Sequence, residues 1–107
     1  MVGYYAKRSH SENLQKLSAP VSTGMWVDAP NVSREQLATL ISTYQLMPAI
    51  VKDVNDKQEL SRVEFSGTDT YMYIRTPVAT STGRLATHPI LCISDATNFF
   101  TLSTKST

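Results

Sequence analysis

Residues 53–77 read DVNDKQELSRVEFSGTDTYMYIRTP, and this stretch decides the fold. It opens on a helix end carrying one acid, Asp53, which runs into a polar loop. From Glu59 to Ser66 the pattern alternates, with Val63 and Phe65 on one face and Arg62, Glu64 and Ser66 on the other. Thr70 to Thr76 alternates as well: Met72 and Ile74 oppose Tyr71, Tyr73 and Arg75. The second set is expected on the exposed face, where Arg75 could meet a tyrosine ring or an acid. Gly67, Thr68 and Asp69 lie between the two runs, so an antiparallel hairpin is the natural pairing.

Upstream lies the element with the clearest boundary signals. Ser33 is followed three residues later by Gln36, the spacing of a capping box, and Val32 and Leu37 stand at the two positions of a hydrophobic staple. Leu37, Leu40, Ile41 and Tyr44 then repeat at helical spacing. Gln45 and Leu46 break this helix. Met47-Pro48 opens a second one, because proline at the first helical position lacks only a donor that has no partner there. Met47, Ile50, Val51 and Val54 form its apolar stripe, with Lys52 and Asp53 off it. Before these helices, Val2–Lys7 reads as a first strand, residues 8–13 as a turn, Leu14–Leu17 as a short second strand or an irregular link, and Ala19–Gly24 as a loop. Met25-Trp26-Val27, ending at Asp28, reads as a buried strand. After the hairpin come a polar loop at 80–84, an apolar strand at His88–Ile93, a turn at Asp95–Asn98 and a last strand from Phe99 to Ser103. The pattern predicts an α+β fold with a mixed, largely antiparallel sheet and its helices on one face. Nothing after the last strand would cover the second face, which suggests a piece of something longer.

Bulk properties narrow the function. A chain of 107 residues is one domain or part of one. Ten basic and nine acidic residues leave a formal charge of +1, with no basic run to attract nucleic acid or an anionic membrane. The single cysteine, Cys92, sits among Ile90, Leu91 and Ile93 and reads as a small core residue in an intracellular protein. No signal peptide and no apolar run of membrane-spanning length is present, so this stretch is expected to be soluble. His10 and His88 lack the spacing of a metal pair, and no nucleophile elbow or phosphate loop occurs, which disfavours an enzyme. Asp28 is expected to accept backbone N–H groups ahead of the first helix. Trp26, Tyr71, Tyr73, Phe99 and Phe100 have no interleaved basic residues and read as packing groups rather than a base-stacking platform.

Taken in order, several segments together resemble the N-terminal cytoplasmic domain of CorA-type magnesium transporters, in particular the Gram-positive members. They are Trp26-Val27-Asp28, the capped helix Ser33–Tyr44, the helix ending Lys52-Asp53, the loop Asp56–Glu59, Ser61-Arg62-Val63-Glu64, Tyr71–Pro77, Pro89 and Phe99–Leu102. The resemblance covers nearly the whole chain. It implies an α/β/α sandwich, truncated here to a single domain fragment, residues 1–107. It implies a homopentameric assembly on the cytoplasmic side of the membrane, with stalk and transmembrane helices and the Gly-Met-Asn pore signature absent from this sequence. It implies regulation by a divalent cation, Mg2+, shared between subunits, with no tightly bound cofactor and no nucleic acid.

By the same resemblance Asp53 is the regulatory metal ligand. Asp56 and Glu59, read from their place in the adjoining loop, are outer-shell candidates or surface acids with no specific role. Lys52 stands where some members carry a second acid. A solvated helix-end acid, paired with Lys52 or Lys57, is the competing reading of Asp53. A free-standing α+β ligand-binding or interaction module is the alternative for the chain as a whole.

Overall fold

The computed structural model describes residues 2–6, 15–17, 24–55, 61–79 and 81–104. The elements run β1 (Gly3–Ala6), β2 (Gln15–Leu17), β3 (Met25–Ala29), α1 (Arg34–Tyr44), α2 (Pro48–Val51), a 3-10 turn (Lys52–Asn55), β4 (Arg62–Ser66), β5 (Asp69–Ala79), β6 (Leu85–Ser94) and β7 (Phe99–Leu102). One seven-stranded sheet takes the order β2-β1-β3-β7-β6-β5-β4. Every pairing is antiparallel except β3 with β7, so the sheet is mixed and largely antiparallel, as the pattern predicts.

The local chemistry sets the boundaries. Ser33 Oγ accepts from the Gln36 N–H at 3.1 Å, while Gln36 Oε1 accepts from the Ser33 N–H at 2.9 Å, closing the capping box. Val32 and Leu37 are both buried beside it. The helix ends where Gln45 turns left-handed at φ 54° and returns its N–H to the Ile41 carbonyl. Pro48 opens α2, but this helix has only four residues before it tightens into the 3-10 turn. Met47, assigned to its stripe, is instead exposed; Val51 and Val54 carry the packing. Gly67 takes φ 60° at the first of two loop positions between Ser66 and Asp69, the sign a type II′ hairpin wants there.

The sheet's two faces differ sharply. On the helix-covered face, Glu64, Tyr71, Ile93, Phe100, Val27 and Tyr4 align across the strands as one row. Arg62, Tyr73, Leu91, Leu102 and Ala29 form the next. Tyr71 and Tyr73 are each 1% exposed, whereas Met72 and Ile74 are 40% and 37% exposed. The expected parity of β5 is therefore inverted. The helical layer covers the tyrosine face because both hydroxyls reach its backbone: Tyr71 Oη accepts from the Met47 N–H at 3.0 Å, and Tyr73 Oη donates to the Ile50 carbonyl at 2.5 Å. Met72 and Ile74 have no polar end to offer there. β4 follows the same parity, leaving Val63 and Phe65 on the uncovered face.

β4 pairs with β5 only from Asp69 to Tyr73, and β7 pairs with β6 only from Leu91 to Ser94. Beyond these spans, Ile74–Ala79 and Leu85–Ile90 pair with each other as a two-stranded ribbon projecting from the sheet. Pro77 and Pro89 sit in this ribbon, where a missing donor costs no bond to a further strand. His88, expected to open the strand, lies inside β6, which begins at Leu85. The β6–β7 link is an Asx turn: Asp95 Oδ1 accepts from the Thr97 N–H, the Thr97 hydroxyl and the Asn98 N–H.

Candidate functional site

The 3-10 turn after α2 brings Asp53 to the edge of the sheet, against β4. Arg62, the first residue of β4, reaches back to it: Nη2 donates to Asp53 Oδ2 at 2.6 Å. Its other terminal nitrogen, Nη1, lies 3.0 Å from Glu64 Oε1, two residues along the same face of the strand. The guanidinium sits 5.1 Å from the centroid of the Tyr73 ring. Tyr73 in turn holds the Ile50 carbonyl one turn before Asp53. One fork thus ties two carboxylates, an aromatic face and the end of α2 into a single corner. The Arg62 and Asp53 side chains remain 32% and 42% exposed, so the direct pair contributes less than about 1 kcal/mol.

Arg62 therefore takes the place given to Lys52 or Lys57 as the partner of Asp53 in the competing reading. Lys52 is exposed, and Lys57 lies outside the described residues. So do Asp56 and Glu59, the outer-shell candidates, and His10. A hard divalent cation takes six or more oxygens. Among the described residues, no three His, Cys, Asp or Glu side chains gather into a group that could hold one. Among the described residues, Asp53, with one oxygen on a guanidinium, does not by itself fit a resident metal. Sequence reasoning passed over Arg62 and Glu64. The signal available was their spacing of two on one strand face, opposite Tyr73 in the hairpin register.

The remaining candidates separate. Asp28 lies within β3, not ahead of α1, and its Oδ1 accepts from the Thr101 hydroxyl at 2.8 Å rather than from backbone N–H groups. Trp26 Nε1 donates to the same Thr101 oxygen at 2.9 Å. This relay bridges the parallel strands β3 and β7 on the uncovered face. Tyr5 packs on Trp26 with ring centroids 4.9 Å apart. The five aromatics considered as a platform are split: Tyr71, Tyr73 and Phe100 point into the core, and Phe99 is exposed on the other face near Trp26. Arg75 does not stack on a tyrosine. It donates from Nε to Thr87 Oγ1 and from Nη2 to the Thr87 carbonyl, both at 2.9 Å, across the ribbon. Burial raises the Cys92 thiol above its usual range, which favours the protonated form over the nucleophilic thiolate.

Surface hollows lie elsewhere among the described residues. A groove of about 450 Å³ runs between α1 and α2 over Leu37, Ala38, Ile41 and Pro48, with Arg34 and Lys52 at its rim. A shallower one of about 310 Å³ lies by Tyr5, Trp26 and Phe99 at the start of β3 and β7. No helix among the described residues is long and apolar enough to cross a membrane.

No protein-family model matches this chain, and no curated protein matches it. Solved structures do. The complete structure of the CorA magnesium transporter from Methanocaldococcus jannaschii superposes with a TM-score of 0.80 at 16% identity, covering 99% of this chain and 33% of that one. The soluble domain of the same transporter superposes with a TM-score of 0.79 at 15% identity, covering 99% of this chain and 41% of that one. The fold is that of the CorA soluble domain. This chain spans about a third of the whole transporter and about two fifths of its soluble domain.

Proposed function

We propose that this chain is the N-terminal cytoplasmic domain of a CorA-like divalent-cation transporter, acting as a regulatory part of a homo-oligomer. The observation that carries the reading is the superposition over 99% of the chain on both CorA structures. In this reading the domain works in a pentamer with its own stalk and transmembrane helices, and carries no chemistry of its own. Asp53 is offered at a subunit boundary, and the neighbour supplies a further carboxylate to it. Asp56 and Glu59 stand nearby in sequence as outer-shell candidates. Mg2+ shared in this way would favour whichever arrangement brings the acids together, and so bias a two-state equilibrium.

Two experiments test this. The downstream coding sequence should continue into charged helices and two apolar spans with Gly-Met-Asn between or beside them; a stop codon after Thr107 refutes the reading. In the full-length protein, Asp53→Asn should weaken the protection against protease that Mg2+ confers. Unchanged protection removes Asp53 from the site and leaves the domain assignment standing. The isolated chain should give little heat on calorimetric titration with millimolar Mg2+.

A further inference from the structure

β4 is the last strand in the sheet order, so one of its edges has no strand beside it among the described residues. The other free edges are blunted. β2 is three residues long with Lys16 exposed at its middle, and the projecting ribbon carries Pro77 and Pro89. β4 has five residues, Arg-Val-Glu-Phe-Ser, with no proline and no lysine. Val63 and Phe65 are 46% and 77% exposed on it. The backbone phase of this edge follows from the hairpin. Ser66 and Asp69 close a two-residue turn and form a bonded pair, and bonded pairs alternate along an antiparallel ladder. Glu64 with Tyr71 and Arg62 with Tyr73 are therefore bonded pairs too. The N–H and C=O groups of Val63 and Phe65 point the other way, out from the sheet.

We propose that this edge pairs with the same edge of a second copy of the chain, antiparallel about a two-fold axis at Val63. The backbone phase admits only registers in which outward residues meet outward residues. An axis at Arg62 sets two guanidinium groups against each other, and an axis at Glu64 sets two carboxylates; like charges directly opposite are destabilising. An axis at Phe65 runs Val63 against Gly67, which holds φ 60° in the turn, so the pairing is cut short. An axis at Val63 pairs Val63 with the partner's Val63 and Phe65 with the partner's Ser61. It also sets Arg62 opposite the partner's Glu64, in both directions. These opposite charges fall at the non-hydrogen-bonded positions, where facing side chains lie closer. The Arg62 and Glu64 side chains are 32% and 40% exposed, so both can reach across while Arg62 keeps its bond to Asp53. β4 is thus self-complementary in backbone and in charge, the pattern of an isologous contact. The inference goes beyond the function proposed above and does not rest on it.

Sedimentation velocity over a range of concentrations tests this in the 107-residue parent chain, Arg62→Glu, Glu64→Arg and Val63→Pro. The parent should pass from monomer to dimer as concentration rises. Each charge reversal alone lines the junction with like charges and should raise the concentration for half dimerisation roughly tenfold or more. Mixed one to one, the two reversed chains face each other with opposite charges again and should dimerise as the parent does. Val63→Pro deletes an outward N–H without touching the ladder to β5, and should be monomeric. Amide exchange gives a second readout. Val63 and Phe65 should gain protection as concentration rises, while Arg62 and Glu64, already bonded to β5, should not change.

A parent chain that stays monomeric throughout overturns the proposal. A dimer that persists unchanged in both charge reversals and in Val63→Pro places the contact elsewhere and overturns it too. A mixture of the reversed chains that stays monomeric, where the parent dimerises, overturns it through its register. Circular dichroism checks that each variant is folded, and the exchange of Val63 and Phe65 in the parent decides the matter if one is not. The transporter reading stands or falls by its own tests, not by these.

Discussion

Tyr73→Phe isolates the bond that attaches α2 to the sheet. The substitution keeps the ring, which is 1% exposed, and deletes only the hydroxyl that donates to the Ile50 carbonyl at 2.5 Å. A second carbonyl, that of Val51, lies 3.5 Å away and gains nothing from the change. A buried hydrogen bond of this kind contributes about 1 kcal/mol net, and leaving its acceptor short of a donor brings the loss to about 1–2 kcal/mol. The Ile50 carbonyl also accepts from the Lys52 N–H, which holds the loss toward the lower end. For a domain of this size that corresponds to a fall in Tm of roughly 4–8 °C. Urea unfolding should show a lower midpoint with an unchanged slope, since the surface exposed on unfolding is the same. The informative comparison is Ile74→Thr, one residue on and 37% exposed, which should cost within about 0.5 kcal/mol. If Tyr73→Phe were neutral, or if Ile74→Thr cost more than it did, the tyrosine face would not be the covered one and the assignment of α2 to it would fail.

Other outcomes follow from single residues. Gln45→Gly should raise stability by about 0.5–1 kcal/mol in thermal melts, because Gln45 holds φ 54° at the end of α1 and glycine removes the strain of a side chain there. Phe65→Ser should leave the Tm within about 2 °C yet lower binding of a hydrophobic dye, because Phe65 is 77% exposed on the uncovered sheet face. Stability should decline as pH rises above about 9. Burial pushes the pKa of the Tyr44 and Tyr71 hydroxyls and of the Cys92 thiol upward in the folded chain, so the unfolded chain loses these protons first. Their contribution is complete below the unfolded values and is lost as pH climbs through the folded ones. Urea midpoints across pH 8 to 11 check this, and Cys92→Ser should remove the earliest part of the decline.

What could be read from the sequence was what local chemistry decides. The capping box at Ser33 and Gln36, the break at Gln45, the hairpin around Gly67 and the turn from Asp95 each depend on a few adjacent residues, and each stands where its signals put it. Parity in β5 was harder. Tyr71 and Tyr73 against Met72 and Ile74 is an alternation between two sets that both tolerate burial. The choice is made at α2, where the Met47 N–H before the helix and the Ile50 C=O within it take the two tyrosine hydroxyls as partners. Arg62 escaped notice for a related reason. Its partner Asp53 precedes it by nine residues, with a polar loop between, so no helical or strand spacing links the two. Asp28 was misplaced because its partner, Thr101, lies 73 residues away and becomes a neighbour only through the β3–β7 pairing. The α/β/α sandwich implied by resemblance is present as one helical layer on one sheet, with the second face bare over the described residues.

The parallel seam has a consequence for how such a chain comes into being. β3 is made early and β7 near the end, yet they lie side by side at the middle of the sheet, with the Asn98 side chain accepting from the Met25 N–H at 3.1 Å across 73 residues of chain. A ribosome would release β1 to β3 long before their neighbour is synthesised, so the N-terminal third must wait, half-made and unpaired along one side. Closure of this sheet is then a late, nearly all-or-nothing event, and a truncation that removes Phe99–Leu102 would split the domain through its centre rather than trim its end.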